Sequence, residues 1–427
     1  MRQRIFEKAE RDGVRKGRFA ITLDGTVLST RLDAARGTPS RTTARDFATV
    51  AEALTELERL VHDWLDRDWE LVTSVDGTRR RDASVGRTLR AAIAAHLTDE
   101  APYLVYSDWL TEHGDPMGEL IAVGIALEQS ATAELRARHD ALVEANGAAL
   151  LGIVSSVHGA SLKWRRGFVD RVSLAPPIDH AADEVLAALF RAPAGALLRD
   201  LVVAALRAPT YHAVLRTLAT VSVPPTVRRL ALVPTDATTS LLGVREALRS
   251  TPNLEVLVLH GSDLSLGSPL PRLRRLELVT SRPSASLVSA LASYSALDTM
   301  ALALDGRGDL AGMERMLATI GPALRSLDLR GMPLLAPIID ALLDSGLGMQ
   351  LEELGLPDGD LSGADARKLL ALGHLKRLDL TEQPLAVDIV DELRATFGDR
   401  VLIDPGIEGP LPPRRLVPDD PDDLDDT

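Results

Sequence analysis

The chain has 427 residues, 45% apolar and 3% aromatic, no cysteine, and a formal net charge of −13. Disulfides, thiolate metal sites and cysteine nucleophiles are therefore excluded, and any large core must be aliphatic. Residues 1–8 lack a signal-peptide core and no run approaches the ~20 apolar residues of a membrane span, so a soluble cytoplasmic protein without membrane contact is expected.

The charge is uneven. Residues 1–90 carry 18 Lys and Arg against 15 Asp and Glu, or +3, which leaves −16 for the remainder. An acidic body argues against a phosphate-tracking surface, so nucleic acid is an option only for the first segment. There, residues 17–31 alternate apolar and polar around Asp24-Gly25, a hairpin signature. Thr49 and Glu52 form a capping box for a helix that carries Leu54, Leu57, Val61 and Trp64 on one stripe, expected to lie on the hairpin. Over residues 1–72 the hairpin, the Arg/Thr-rich strand and the closing helix resemble the WGR domain, although Leu32-Asp33-Ala34 stands where Trp-Gly-Arg would fall. The resemblance implies an α+β module that in some members contacts nucleic acid, here through Arg31, Arg36, Arg41 and Arg45. The alternative is that these arginines are a solvated strand face.

Residues 73–84 lack periodicity and read as a linker. A helix is expected around Leu89, Ile93 and Leu97. Thr98-Asp99 is expected to cap a second helix, which contains Tyr103, Tyr106, Trp109 and Leu110 and stops at Gly114. Asp115-Pro116 starts a third, and a fourth is expected from about Thr132 to Asn146, ending at Gly147. Tyr103 to Ile121, with its Tyr-Ser-Asp-Trp-Leu helix, Gly-Asp turn and Gly-Glu-Leu helix, resembles the bacterial repeat-companion domain over residues 87–130, within a helical region of 85–148. That resemblance implies neighbouring leucine-rich repeats more than any chemistry. Asp108, Glu112, His113, Asp115 and Glu119 are a conceivable hard-cation set, yet the capping role of Asp115 and local pairing explain them.

From residue 149 to 403 a six-residue unit recurs, seen clearly in Leu324-Arg325-Ser326-Leu327-Asp328-Leu329, with apolar residues at its first, fourth and sixth places. First places fall at 169, 198, 227, 254, 273, 297, 324, 351 and 375. This spacing resembles leucine-rich-repeat proteins, clearly over 250–385 and less so over 165–235. The expected fold class is thus an α+β N-terminal module, a small helical middle domain, then an α/β leucine-rich-repeat solenoid of parallel strands with a helical convex side. The asparagine that usually holds the turn is replaced by Ser262, Ser281, Asp305, Met332, Gly359 and Gln383, so irregular turns are expected.

In such a solenoid the third, fifth and seventh places face the concave side. Early and middle copies supply Val202, Ala204, Ala231, Val233, Val256, Val258, Val279, Ala301 and Ala303, with His260 and Glu277 beside them, while later copies supply Ser326, Asp328, Arg330, Glu353, Arg377, Asp379 and Thr381. The expected face has an apolar half and a charged half. Three readings of the apolar half stay open: it receives a partner's ridge, the N-terminal modules cover it, or its valines only satisfy strand propensity. No phosphate loop, nucleophile elbow or metal-spaced histidine pair is present. The expectation is a non-catalytic scaffold without cofactor that binds an unidentified protein through this face, with nucleic-acid binding through residues 1–72 as the alternative. Residues 404–427, rich in Pro and Asp, read as a disordered tail.

Overall fold

The computed structural model describes residues 2–9, 15–24, 26–34, 41–65, 70–75, 83–236, 238–262, 264–267, 270–280, 285–304, 310–331 and 335–403. The 404–427 segment, Arg36, Ser281, Asp305 and Met332 lie outside them.

Five antiparallel strands come first: β1 (Arg2–Ala9), β2 (Arg15–Asp24), β3 (Val27–Ala34), β4 (Arg41–Asp46) and β5 (Glu70–Val75), in the order β4-β3-β2-β1-β5. Asp24 pairs with Val27, so the β2–β3 hairpin closes over two residues. Helix α1 (Val50–Leu65) begins with the Glu52 amide donating to Thr49 Oγ1 at 3.2 Å. Period two in the strand meets period 3.6 in the helix: Phe19, Ile21, Leu23 and Leu28 are buried against Ala53 and Leu57, with Leu54, Val61 and Trp64 packed on them. Trp64 stacks on Phe19 with ring centroids 3.7 Å apart. Residues 73–75, expected in a linker, pair with β1 as the end of β5.

Four helices follow: α2 (Ala83–Ala95), α3 (Ala101–Glu112), α4 (Pro116–Gln129) and α5 (Ala133–Leu151). Asp99 Oδ1 accepts from the Ala101 amide at 3.1 Å, Asp115 Oδ1 from Met117 at 2.9 Å, and Thr132 Oγ1 from Leu135 at 3.2 Å. Gly114 turns left-handed (φ +67°) between α3 and α4. Helix α5 corrects the expected stop at Gly147: it continues to Leu151 and ends at Gly152, φ +60°. Gly147 is buried in the helix, where a Cβ would lie 3.1 Å from Ser155 Cβ, and Leu150 and Leu151 beyond it are 2% exposed. Burial of those leucines outweighs the helix-breaking tendency of one glycine, which is about 1 kcal/mol.

A second sheet has eleven strands in sequence order: β6 (Ala160–Arg165), β7 (Phe168–Leu174), β8 (Asp200–Ala204), β9 (Arg229–Val233), β10 (Val256–His260), β11 (Arg275–Thr280), β12 (Thr299–Leu304), β13 (Ser326–Arg330), β14 (Glu353–Gly355), β15 (Arg377–Asp379) and β16 (Val401–Leu402). From β8 onward every neighbouring pair is parallel. Helices α6 (Ala182–Arg191), α7 (Ala208–Thr220), α8 (Val244–Arg249), α9 (Ala285–Leu291), α10 (Leu310–Thr319), α11 (Leu335–Asp344), α12 (Leu347–Gln350), α13 (Gly363–Lys368) and α14 (Val387–Phe397) lie between the strands in sequence. This is a mixed α/β architecture with a large, mostly parallel sheet. The in-register row Leu230, Leu257, Leu276, Met300, Leu327, Leu354 and Leu378 is at most 1% exposed. Strand β6 was not expected from the repeat pattern. It meets β7 through Arg166-Gly167, both at positive φ (+46° and +79°), the conformation of a tight hairpin turn.

The second place of each copy forms a further register device. The amides of Glu255, Arg274, Asp298, Arg325, Glu352 and Lys376 each donate to the carbonyl of the equivalent residue one copy earlier, at 2.7–3.0 Å. From Arg228 to Lys376 these seven residues alternate in charge. Arg228 Nε lies 3.2 Å from Glu255 and Lys376 Nζ 2.7 Å from Glu352.

By contact density the chain divides into Met1–Val172 with Glu184–Arg199 and Pro224–Thr226, and a second unit of Ser173–Asp183, Asp200–Val223 and Val227–Thr427. Strand β6 and most of β7 thus group with the helices α2–α5.

Candidate binding cleft on the strand face

Alternation along a strand turns the residues between the leucines away from the core. The fifth places stand side by side as a central row: Val202, Ala231, Val258, Glu277, Ala301, Asp328, Gly355 and Asp379. The third places form a second row: Asp200, Arg229, Val256, Arg275, Thr299, Ser326, Glu353 and Arg377.

Across β11–β15 these rows enclose a cleft of about 330 Å³. Its central row alternates carboxylates (Glu277, Asp328, Asp379) with the two smallest side chains, Ala301 and Gly355. Arg275, Ser326, Glu353 and Arg377 line one side, and Arg330 also reaches in. Gly355 makes room for its neighbour, because a Cβ there would lie 3.1 Å from Asp328 Oδ1. Arg330 donates from Nε and Nη2 to Asp328 Oδ2 at 2.8 and 2.6 Å. Burial alone would lower the Arg330 pKa, but that hydrogen bond and the charges of Asp328, Glu277 and Asp379 raise it overall. Asp379 Oδ1 accepts from the Thr381 amide and hydroxyl at 3.0 and 2.8 Å, and Ser326 Oγ donates to Glu353 Oε2 at 3.1 Å.

Two acceptors are left over. Glu277 is 3% exposed, and its Oε1 has no hydrogen bond; His260 Nε2, 3.5 Å away, has none either. Asp328 Oδ1 is likewise buried without one. Leaving a buried acceptor unsatisfied costs about 1–3 kcal/mol, more when it is charged. The cleft is a polar concavity in which acids and arginines are interleaved, and these two oxygens lie beneath its surface, Glu277 Oε1 toward His260 and Asp328 Oδ1 toward Gly355.

Of the residues anticipated from sequence, Glu277, Asp328, Arg330, Glu353, Arg377 and Asp379 come together here, and His260 adjoins Glu277. Val202, Val233, Val256 and Val279 are half-buried on the same face outside the cleft, as is Ala303. Val258 differs from the expectation of an exposed contact: it is 3% exposed, enclosed between Ala231 and Glu277 on neighbouring strands. The division into an apolar and a charged half also needs correction. The third place already carries Asp200 and Arg229 in early copies, with Arg229 Nη1 3.8 Å from Asp200 Oδ2. Charge follows a row as well as a direction along the sheet. Ala301 was expected on this face as part of its apolar half; Arg275 and Gly355 were missed, although writing the copies in register by place would have exposed them.

Elsewhere, His113 Nδ1 faces the Trp109 carbonyl at 2.6 Å, Asp115 caps α4, and Glu119 accepts from Arg138 Nε at 2.8 Å. Among the described residues no group of three or more His, Asp or Glu is placed to hold a metal. The aromatic residues of α3 pack instead: Tyr103 and Tyr106 lie 6.1 and 6.3 Å from Phe168, and Ser107 Oγ donates to the Gly118 carbonyl at 2.7 Å. Two of the turn positions that lack asparagine still hold backbone: Gln383 bonds Leu356 and Leu361, and Ser262 Oγ donates to Thr238. In the first sheet every residue of edge strand β4 is exposed, Arg41 and Arg45 included, and Arg31 is exposed on β3. The Arg45 guanidinium lies over Phe47, 5.0 Å from the ring centroid. Among the described residues no helix is long and apolar enough to cross a membrane.

No protein-family model and no curated protein matches this chain. Among solved structures it is similar to a protein from Bacteroides fragilis, at 14% identity and a TM-score of 0.46, over 96% of this chain and 98% of that one.

Proposed function

We propose that this chain is a cytoplasmic, non-catalytic scaffold whose parallel strands form a leucine-rich-repeat solenoid and whose strand face captures a segment of another polypeptide. The solenoid reading is supported by the sequence-ordered sheet and by the in-register apolar row, which no single copy could bury alone. The binding reading is carried by one observation: a polar concavity of about 330 Å³ on that face, where Glu277, Asp328, Glu353 and Asp379 are interleaved with Arg275, Arg330 and Arg377. The test is capture from the native host with the full chain, followed by mass spectrometry, comparing wild type with the rim reversal Glu353→Lys plus Arg377→Glu. Both residues are exposed, so the fold is expected to persist while partner recovery drops. An unchanged set of partners would reject the cleft.

A second reading, nucleic-acid binding through residues 1–72, has the exposure of Arg31, Arg41 and Arg45 in its favour. Arg45 is already engaged with Phe47 and lies near Glu56 on α1, which fits a packing role. The absence of any mobility shift at low salt would remove this reading.

A further inference from the structure

We propose that strand β4, an edge of the five-stranded first sheet, takes an extended acidic segment of a partner polypeptide as a sixth strand. The inference concerns the first sheet alone and does not rest on the cleft. The Phe47 amide donates to the Thr26 carbonyl at 3.1 Å, which continues the β3–β4 register beyond the pair Val27 and Asp46. In an antiparallel ladder, residues that bond the neighbouring strand alternate with residues whose backbone groups point away from it. Arg41, Thr43, Arg45 and Phe47 therefore bond toward β3, and the N–H and C=O groups of Thr42, Ala44 and Asp46 point outward. Among the described residues no hydrogen bond reaches those outward groups.

Sheets blunt such an edge with proline, a bulge or charge. Strand β4 has no proline or glycine, and its register with β3 is unbroken from Arg41 to Asp46. Its protection is charge, and the charge is one-sided. Arg41 and Arg45 lie opposite Leu32 and Leu28, on the face that carries α1, and the hydroxyl of Thr43 between them is bonded to that of Thr30 at 2.6 Å. Among the described residues Arg41 has no ion pair. Glu56, the acid near Arg45, is already held by Arg59 Nε and Nη2 at 2.8 and 2.9 Å. Asp46, on the opposite face, accepts from Thr26 Oγ1 at 2.8 Å. A second copy of β4 would bring its own arginines to the same face, whereas a strand with acids four residues apart would set them opposite Arg45 and Arg41. Those places are the non-hydrogen-bonded pairs of the added ladder, where facing side chains come closest. The neighbouring pairs of this sheet are antiparallel, and the added strand runs antiparallel to β4 in the same way.

The experiment uses the full chain at low ionic strength and a labelled peptide, Lys-Glu-Thr-Val-Thr-Glu, read by fluorescence anisotropy. Laid antiparallel on β4, its lysine faces Asp46 and its glutamates face Arg45 and Arg41. It is expected to bind about threefold or more tightly than the same peptide with both glutamates changed to glutamine. Arg41→Glu plus Arg45→Glu, both at exposed sites, should reverse that preference in favour of a peptide with lysine in place of both glutamates. N-methylation of the first threonine removes a donor aimed at β4 and is expected to weaken binding at least about tenfold. N-methylation of the valine, whose N–H points away, should leave binding within about threefold. Ala44→Pro makes the same test from the protein side, because proline is tolerated on an edge strand where the N–H faces solvent, and far-ultraviolet dichroism checks its fold. Equal effects of the two N-methyl groups, wild-type affinity in folded Ala44→Pro, no preference for the glutamate peptide, or no binding up to about 1 mM chain would each overturn the proposal. So would a duplex oligonucleotide that binds through Arg41 and Arg45 while the peptide does not. None of these outcomes bears on the cleft, which is tested by partner capture with Glu353→Lys plus Arg377→Glu.

Discussion

Gly124 and Arg166 show how one side chain and one missing side chain join two parts of the first unit. A Cβ on Gly124 would sit 2.7 Å from the Arg166 Cα and the Gly167 amide, so helix α4 and the β6–β7 turn approach backbone to backbone. Arg166, 8% exposed, donates to Glu128 Oε2 at 2.7 Å and to the Thr98 carbonyl at 3.2 Å, and lies over the Tyr103 ring. Gly124→Ala is expected to cost about 1–3 kcal/mol by overpacking against backbone that cannot yield, read as a lower urea midpoint with an unchanged slope. The buried tyrosines give a second measurement. Burial raises the Tyr103, Tyr211 and Tyr294 phenols above their ordinary value. Below the unfolded tyrosine pKa of ~10 both states are protonated and their contribution to stability is whole. As pH rises past that value the unfolded phenols ionise first, and the contribution is lost on the way up to the folded values. Tyrosinate absorbance from these three should appear together with the loss of helical dichroism, not ahead of it.

Strands carry two kinds of information, and their outward places divide it. The alternating second-place ladder favours the observed neighbours, because a slip by one copy between Arg228 and Lys376 would set like charges side by side. Glu255→Lys, placed between Arg228 and Arg274, is expected to lower stability by up to about 1 kcal/mol, less at high salt, as measured by denaturant titration. In the central row Val258→Asp would bury a charge at a site 3% exposed and should cost about 3 kcal/mol or more. Two residues earlier, Val256→Asp would stand between Arg229 and Arg275 on a half-buried row and should be tolerated. Equal effects of the two substitutions in the same titration would contradict the assignment of rows. The apolar places were legible from sequence because leucines at the first, fourth and sixth positions repeat whatever surrounds them. The end of α5 was not, because the cost of Gly147 is local while the gain from Leu150 and Leu151 depends on what they pack against.

At the scale of the molecule, a net charge of −13 is combined with a strand face where opposite charges are interleaved. Capture through that cleft should therefore weaken with salt as the Debye length falls from ~10 Å at 0.1 M toward ~3 Å at 1 M. Recovery of partner across a salt series measures this, and salt-independent recovery would point to an apolar interface elsewhere. The charged residues of the cleft were individually visible in sequence, but their convergence was not: Glu277 and Asp379 are about a hundred residues apart and become members of one row only through four successive strand pairings. By itself the sequence determined which places turn inward and that the strands recur, because period-two alternation assigns each side chain to a face without reference to its neighbours. Tertiary structure alone decided that Val258 is enclosed, that Ala301 and Gly355 open gaps between carboxylates, and that two of those carboxylates keep an oxygen without a hydrogen bond. Exposure and hydrogen bonding at any one place are set by residues that other strands bring alongside it.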